Sequence, residues 1–289
     1  MPTKIEKDVI SGTDTTGHEW DGIKELNTPL PKWWVYVFYA TILFAVVYAI
    51  LYPSIPGFNG HTAGVLGWSK RAELDGQIAA ARARQADFVQ RINAATFAVI
   101  RSDNDLLNFA LTGGRAAFAD NCAPCHAAAG AGRPGFPNLA DDKWLWGGKI
   151  EQIYTTIQHG ARNEDADAHV STMPSFGADQ LLKPAEINDV AEFVLSLTAR
   201  STDAAAARRG AGIFAQQCAS CHGETGKGNA EVGAPNLTDG IWLYGGKKSD
   251  IVAQITKPKL GVMPAWGARL DPATLKMLAV YVHSLGGGQ

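Results

Sequence analysis

Cys122-Ala123-Pro124-Cys125-His126 and Cys218-Ala219-Ser220-Cys221-His222 are two copies of one pattern, C-x-x-C-H, and together they use all four cysteines of the 289-residue chain. On a short helix, residues three and four apart share a face. Two thiols at i and i+3 can therefore bond the two vinyl groups of one porphyrin while the histidine at i+4 brings its imidazole beneath the iron. The pattern is that of covalent haem c attachment. One copy alone could instead serve a zinc ion or a redox dithiol. Two copies, each ending in histidine and with no cysteine left over, point to two covalently bound haem c groups.

The motifs belong to a duplicated unit. Gly114 and Phe118 before the first match Gly210 and Phe214 before the second, and Pro137-Asn138-Leu139 matches Pro235-Asn236-Leu237. Trp144 with Gly147-Gly148-Lys149 is answered by Trp242 with Gly245-Gly246-Lys247. Met173-Pro174-Ser175-Phe176-Gly177 corresponds to Met263-Pro264-Ala265-Trp266-Gly267, and each copy closes on a helical pattern, 185–197 and 273–285. Solenoids need three or more copies to bury a core; two copies of this length read as two small domains, each built around a haem. Trp144 and Trp242 are either core aromatics or contacts to the haem, at its walls or its propionates. Met277 has helical spacing with Leu275, Leu278 and Val282 and reads as core.

Residues 33–52 form an uncharged run with Trp33 and Trp34 at one end and Tyr48 and Tyr52 at the other. That length crosses a bilayer once as a helix, and the aromatic ends suit the interfaces. The run starts too late, is too long and lacks the cleavage site of a removable signal peptide, so it is expected to remain as an anchor. Lys24 and Lys32 before it put the N-terminus on the cytoplasmic side by the positive-inside rule. Residues 69–93 carry an apolar stripe of Leu74, Ile78, Ala81, Phe88 and Ile92, which suits either a stalk packing on its own domains or a surface for a partner or the membrane.

Net charge is −2, which excludes the basic balance of a nucleic-acid binder. Residues 113–199 hold 6 Lys+Arg against 11 Asp+Glu, and residues 209–289 hold 8 against 5. The acidic excess is either a solvated surface or a face that steers a basic donor, with Glu164, Asp165 and Asp167 its best candidate.

Residues 113–289 resemble class I cytochrome c domains. That resemblance implies His126 and His222 as proximal iron ligands, Met173 and Met263 as distal ligands, and Pro137 and Pro235 as carbonyls that fix the proximal rings. His159 and His169 are the rivals to Met173. Whether each methionine serves the haem of its own copy or of the other stays open. With both axial positions filled the expected chemistry is electron transfer, and the sulfur ligand raises the potential.

Before the anchor, Gly17-His18-Glu19-Trp20-Asp21-Gly22-Ile23-Lys24-Glu25-Leu26-Asn27-Thr28-Pro29-Leu30-Pro31-Lys32-Trp33-Trp34 resembles the N-terminal signature of the CcoP/FixP family, the dihaem subunit of cbb3-type cytochrome c oxidases. Trp20, Ile23 and Leu26 at intervals of three would suit a short amphipathic helix. The resemblance implies a mainly α protein with one N-terminal transmembrane helix followed by two tandem class I cytochrome c domains. The divisions expected are 1–32 cytoplasmic, 33–52 the anchor, 53–112 a periplasmic linker with the amphipathic helix, and 113–199 and 209–289 the two haem domains. It implies a bacterial inner-membrane location, because thioether attachment in this family is made outside the cytoplasm. The implied partners are a catalytic haem-copper subunit, a monohaem cytochrome subunit and a donor c-type cytochrome. The chain would relay electrons in aerobic respiration while the complex reduces oxygen and pumps protons. No polyhistidine copper site is present, so no catalytic residue is assigned. The alternatives are a cytochrome subunit of a membrane-bound dehydrogenase and, as an enzyme, a dihaem peroxidase, which the paired Met loops disfavour.

Overall fold

A computed structural model describes residues 4–58 and 60–288. The chain divides into two compact units between Arg84 and Gln85. In the first unit, strands β1 (Thr15–Trp20) and β2 (Ile23–Leu26) pair antiparallel with Trp20 opposite Ile23. Asp21 and Gly22 between them have φ of 47° and 86°, the two left-handed residues of a tight hairpin turn. The helix expected from the spacing of Trp20, Ile23 and Leu26 is therefore not formed. Asp-Gly is a strong local turn signal, and three apolar residues on a threefold spacing are a weak competitor.

Helix α1 (Lys32–Leu51) starts directly after Pro31 and has no buried residue. Its mean hydropathy is 2.2 over its most apolar stretch, and at 1.5 Å per residue it is about 30 Å long, the thickness of a bilayer's hydrocarbon core. Strands β3 (Pro56–Gly57) and β4 (Gly60–His61) follow as a small hairpin. Tyr52 meets Trp68 edge to face, with ring centres 5.7 Å apart. Helix α2 (Lys70–Ala94) begins in this unit, where Leu74 and Ile78 are exposed.

In the second unit the apolar stripe of α2 changes character. Ile92 is fully buried, and Phe88 stacks on Phe109 at 4.8 Å. The stalk reading holds for this end of the stripe. Helix α3 (Phe97–Ser102) follows, and α4 (Asn104–Asn121) is capped by Asp103, whose carboxylate also takes a 2.8 Å hydrogen bond from Arg91. After α4 come α5 (Ala123–His126), α6 (Ile150–His159), α7 (Pro184–Ser196), α8 (Ala204–Gln217), α9 (Ala219–His222), α10 (Lys248–Thr256) and α11 (Pro272–His283).

These helices bury two cores, and neither core is made from one sequence copy. The first joins Leu106, Ala110 and Phe118 of α4 and Ile150, Ile153 and Ile157 of α6 to Leu275, Leu278 and Val282 of α11. The second joins Ile187, Val190 and Val194 of α7 to Phe214 of α8 and to Ile251 and Ile255 of α10. Each copy's closing helix thus packs on the opening helix of the other. Residues 197–203 alone connect α7 to α8. So short a link makes the two helices nearest neighbours at little closure entropy. With α8 covered by α7, the matching face of α4 is left for α11.

The helices cross where a side chain is absent. A Cβ on Gly114 would run into the carbonyl of Met277, and one on Gly210 into the carbonyl of Asp189. Glu192 of α7 is fully buried, where its counterpart in α11 is Val280. It accepts hydrogen bonds from Ser201 Oγ at 2.6 Å, Thr202 N at 3.0 Å, Asp203 N at 3.3 Å and Thr202 Oγ1 at 3.3 Å, and it pairs with Lys248 Nζ at 2.9 Å. It therefore ties α7 to the start of α8 and the start of α10. The Ser201 and Lys248 contacts hold its pKa down at about 2, against 4.5 normally. Because the folded pKa is depressed, its stabilisation is complete above pH 4.5 and is lost as pH falls through 2. Glu192→Gln should cost about 1.5–3 kcal/mol at neutral pH, because the buried hydrogen bonds from Ser201 and the 202–203 backbone lose their charged acceptor while the exposed Lys248 is simply returned to water. Urea denaturation followed by circular dichroism should show this deficit, and it should shrink towards pH 2.

Candidate haem sites

Cys122 ends α4 and opens α5, and its carbonyl accepts the backbone N–H of Cys125 at 3.0 Å and of His126 at 2.9 Å. Cys218 does the same for Cys221 at 3.2 Å and His222 at 2.9 Å. One tight turn in each copy thus brings two thiols and an imidazole to one side. His126 Nδ1 lies 3.0 Å from the Pro137 carbonyl, and His222 Nδ1 lies 3.0 Å from the Pro235 carbonyl. A carbonyl only accepts, so Nδ1 carries the proton and Nε2 keeps a free lone pair. Burial pushes both imidazole pKa values down, with the carbonyls acting the other way. Neutral imidazole is the form that binds a metal.

Burial also pushes the Cys122 and Cys218 thiols up to about 11, helped by their neighbouring cysteines. A redox dithiol needs a lowered thiol pKa, so the dithiol reading loses support.

The Met loops cross between the copies. Met173 lines a cavity together with Cys218, Cys221, His222, Pro235 and Trp242. Met263 packs against the other core, as do Cys122, Leu139 and Trp144. Backbone hydrogen bonds fasten each crossing. Gly177 N and Ala178 N donate to the Thr256 carbonyl at the end of α10, at 3.1 and 3.0 Å. Met263 and Ala161 exchange two bonds of 2.9 and 3.0 Å, and Trp266 N and Gly267 N donate to the Ile157 and Gln158 carbonyls of α6. Asn163 Nδ2 adds a 2.7 Å bond to the Met263 carbonyl.

The cavity at His222 has a largely apolar wall that includes Phe176, Val190, Val194, Phe214 and Ile251. Among the described residues two buried side-chain nitrogens have no partner, Arg162 Nε and Trp242 Nε1, and both residues line this cavity. An apolar slot with unpaired donors suits a flat hydrophobic ring that carries carboxylates. Trp144, the counterpart of Trp242, donates instead to the Gly287 carbonyl.

The rival residues are otherwise engaged. His159 Nδ1 is 3.0 Å from Asp165, and His169 Nε2 is 3.0 Å from Thr156 Oγ1 with its ring stacked on Trp146 at 4.1 Å. Met277 is buried in α11 against Gly113. Asp165 is not a free surface charge either, since it also accepts the Asp167 N–H at 2.9 Å. Sequence reasoning did not single out Arg162 or Asn163. Neither has a matching residue in a repeated motif to draw attention to it. The short link between the helical patterns was the available signal for the exchange.

Two C-x-x-C-H turns, one of them sharing an apolar cavity with a thioether, define a dihaem c-type cytochrome, here with a candidate membrane span. The comparisons agree along the chain. Residues 12–59 match the N-terminal domain of cytochrome oxidase-cbb3, FixP. Residues 111–198 match cytochrome c, and residues 205–282 match cytochrome C oxidase, cbb3-type, subunit III. The chain is 52% identical to the cbb3-type cytochrome c oxidase subunit CcoP of Azospirillum brasilense, covering 98% of this chain and 99% of that one. It is 51% identical to subunit FixP of Bradyrhizobium diazoefficiens, over the full length of both. Identity to the CcoP subunit of Cereibacter sphaeroides is 48%, again over the full length of both. The chain belongs to the CcoP/FixP family of cbb3-type cytochrome c oxidase subunits, carries two covalently bound haem c groups and relays electrons within that oxidase complex.

Proposed function

We propose that this subunit receives electrons from a soluble or membrane-bound c-type cytochrome and hands them to a catalytic haem-copper subunit, with a monohaem cytochrome subunit in the same complex. Cys122 and Cys125 hold one haem and Cys218 and Cys221 the other. His126 with Met263 ligates the first iron, and His222 with Met173 the second. The observation that carries this pairing is Met173 lining one cavity with Cys218, Cys221 and His222. Each haem supplies a one-electron iron couple. The protein's part is to hold the ligands still. The proximal rings are fixed by Pro137 and Pro235, and the Met loops are clamped to α6 and α10 of the opposite copy. Residues 1–32 are cytoplasmic and 33–52 span the inner membrane, followed by a periplasmic linker over 53–112. Residues 113–199 and 209–289 are the two periplasmic haem-bearing copies, each completed by the closing helix of the other. The lysines before the span and the need to attach haem outside the cytoplasm support that orientation.

Potentiometry tests the pairing. In a chain whose first site is emptied by Cys122→Ser and Cys125→Ser, Met173→His should lower the remaining midpoint by more than about 59 mV, the shift of a tenfold change in the one-electron equilibrium. Met263→His in that background should leave it nearly unchanged. The reverse result would assign each methionine to its own copy.

Donor docking is tested separately. Glu164 and Asp167 are exposed, whereas Asp165 is held by His159. The double change Glu164→Gln, Asp167→Asn should lower the second-order rate with a basic donor cytochrome about threefold at low salt. Stopped-flow measurements should show the difference disappearing as salt shortens the Debye length to about 8 Å and below. An unchanged rate at low salt would remove this cluster from the docking face.

A further inference from the structure

We propose that Arg162, which lies in the first sequence copy, anchors the haem of the second, its guanidinium and the Trp242 indole together holding one carboxylate of the haem bound at Cys218 and Cys221. The inference rests on the reading that the cavity at His222 is where that haem sits. Arg162 lines this cavity, and its Nε is buried without a partner. No carboxylate forms an ion pair with Arg162 among the described residues. Arg162 is half-buried, and a buried donor left without an acceptor is costly, so the arrangement calls for an acceptor, which for a guanidinium is best an anion.

The second unpaired donor is in the same cavity. Trp242 Nε1 is buried without a partner, and Arg200 lies over its ring at 5.4 Å. A haem brings two carboxylates, each with oxygens that accept N–H bonds, and both unpaired donors belong to residues of this one cavity. The Arg162 guanidinium is itself held, 5.7 Å over Trp146, whose other partner is the stacked His169. Burial pushes its pKa down, with the Tyr244 phenol acting the other way, and arginine stays charged under either influence.

The backbone shows why the side chain reaches across. Arg162 has φ of 55°, a left-handed conformation unusual for arginine. The residues on either side fasten Met263, Ala161 through its backbone and Asn163 through its amide. One strained turn therefore grips the loop of one site and sends a cation into the other.

Losing the cation leaves the carboxylate's charge uncompensated and favours Fe(III). In the full chain, Arg162→Gln should lower the midpoint of the haem held by Cys218 and Cys221, identified as the one that survives Cys122→Ser with Cys125→Ser, and leave the other in place. The expected drop is a three- to tenfold fall in the reduced-to-oxidised ratio, up to about 59 mV. Arg162→Lys, which keeps the charge but loses the fork, should fall between. Unchanged midpoints in Arg162→Gln would overturn the proposal. So would a fall confined to the haem held by Cys122 and Cys125, because that would mean the turn acts by loosening Met263. If Met173→His leaves untouched the midpoint that Arg162→Gln lowers, the ligand pairing fails while the anion contact stands.

Discussion

The short link between α7 and α8 is the constraint on which the rest of this protein depends. It forces the closing helix of one sequence copy onto the opening helix of the next. Everything downstream follows from that pairing. The outer helices α4 and α11 are left with complementary faces, and Gly114 lets their backbones meet as Gly210 does for α7 and α8. The Met loops, each lying just before a closing helix, are carried across with it. A duplicated chain has become one body with two cores that cannot be separated by cutting between the copies.

That exchange has consequences for electron transfer. A relay works best when its centres are close and their surroundings change little between oxidation states. Here each Met loop is clamped by backbone hydrogen bonds to a helix of the other copy. Movement at one centre is thus resisted by the packing of the other. The fully buried Glu192 reinforces only one of the two cores, since Val280 stands at the matching place in α11. The copies thus differ next to the link, where Glu192 holds residues 201–203.

Much of this was legible in the sequence because haem attachment and membrane spanning are local. Two thiols and an imidazole fit one helical turn, and a bilayer needs one unbroken apolar run. The proline carbonyls facing His126 and His222 followed from the resemblance to class I cytochromes c, and the burial of Met277 from its helical spacing. The exchange was not, because repeated copies have the same apolar faces and pattern cannot say which partner each face takes. Only the length of the link could decide it. The N-terminal segment failed differently. Its threefold apolar spacing pointed to a helix, while the Asp21-Gly22 turn makes a hairpin. Arg162 was invisible because it stands in an irregular turn and lines a cavity whose wall is built by both copies.

Iron anomalous diffraction from crystals of the haem-loaded protein would test the exchanged pairing most directly, since it locates each iron against both sulfur atoms without any substitution. The account predicts that the iron bound to His222 is also bound to Met173 Sδ, and that the iron bound to His126 is bound to Met263 Sδ. An iron held between His126 and Met173, or between His222 and Met263, would contradict it.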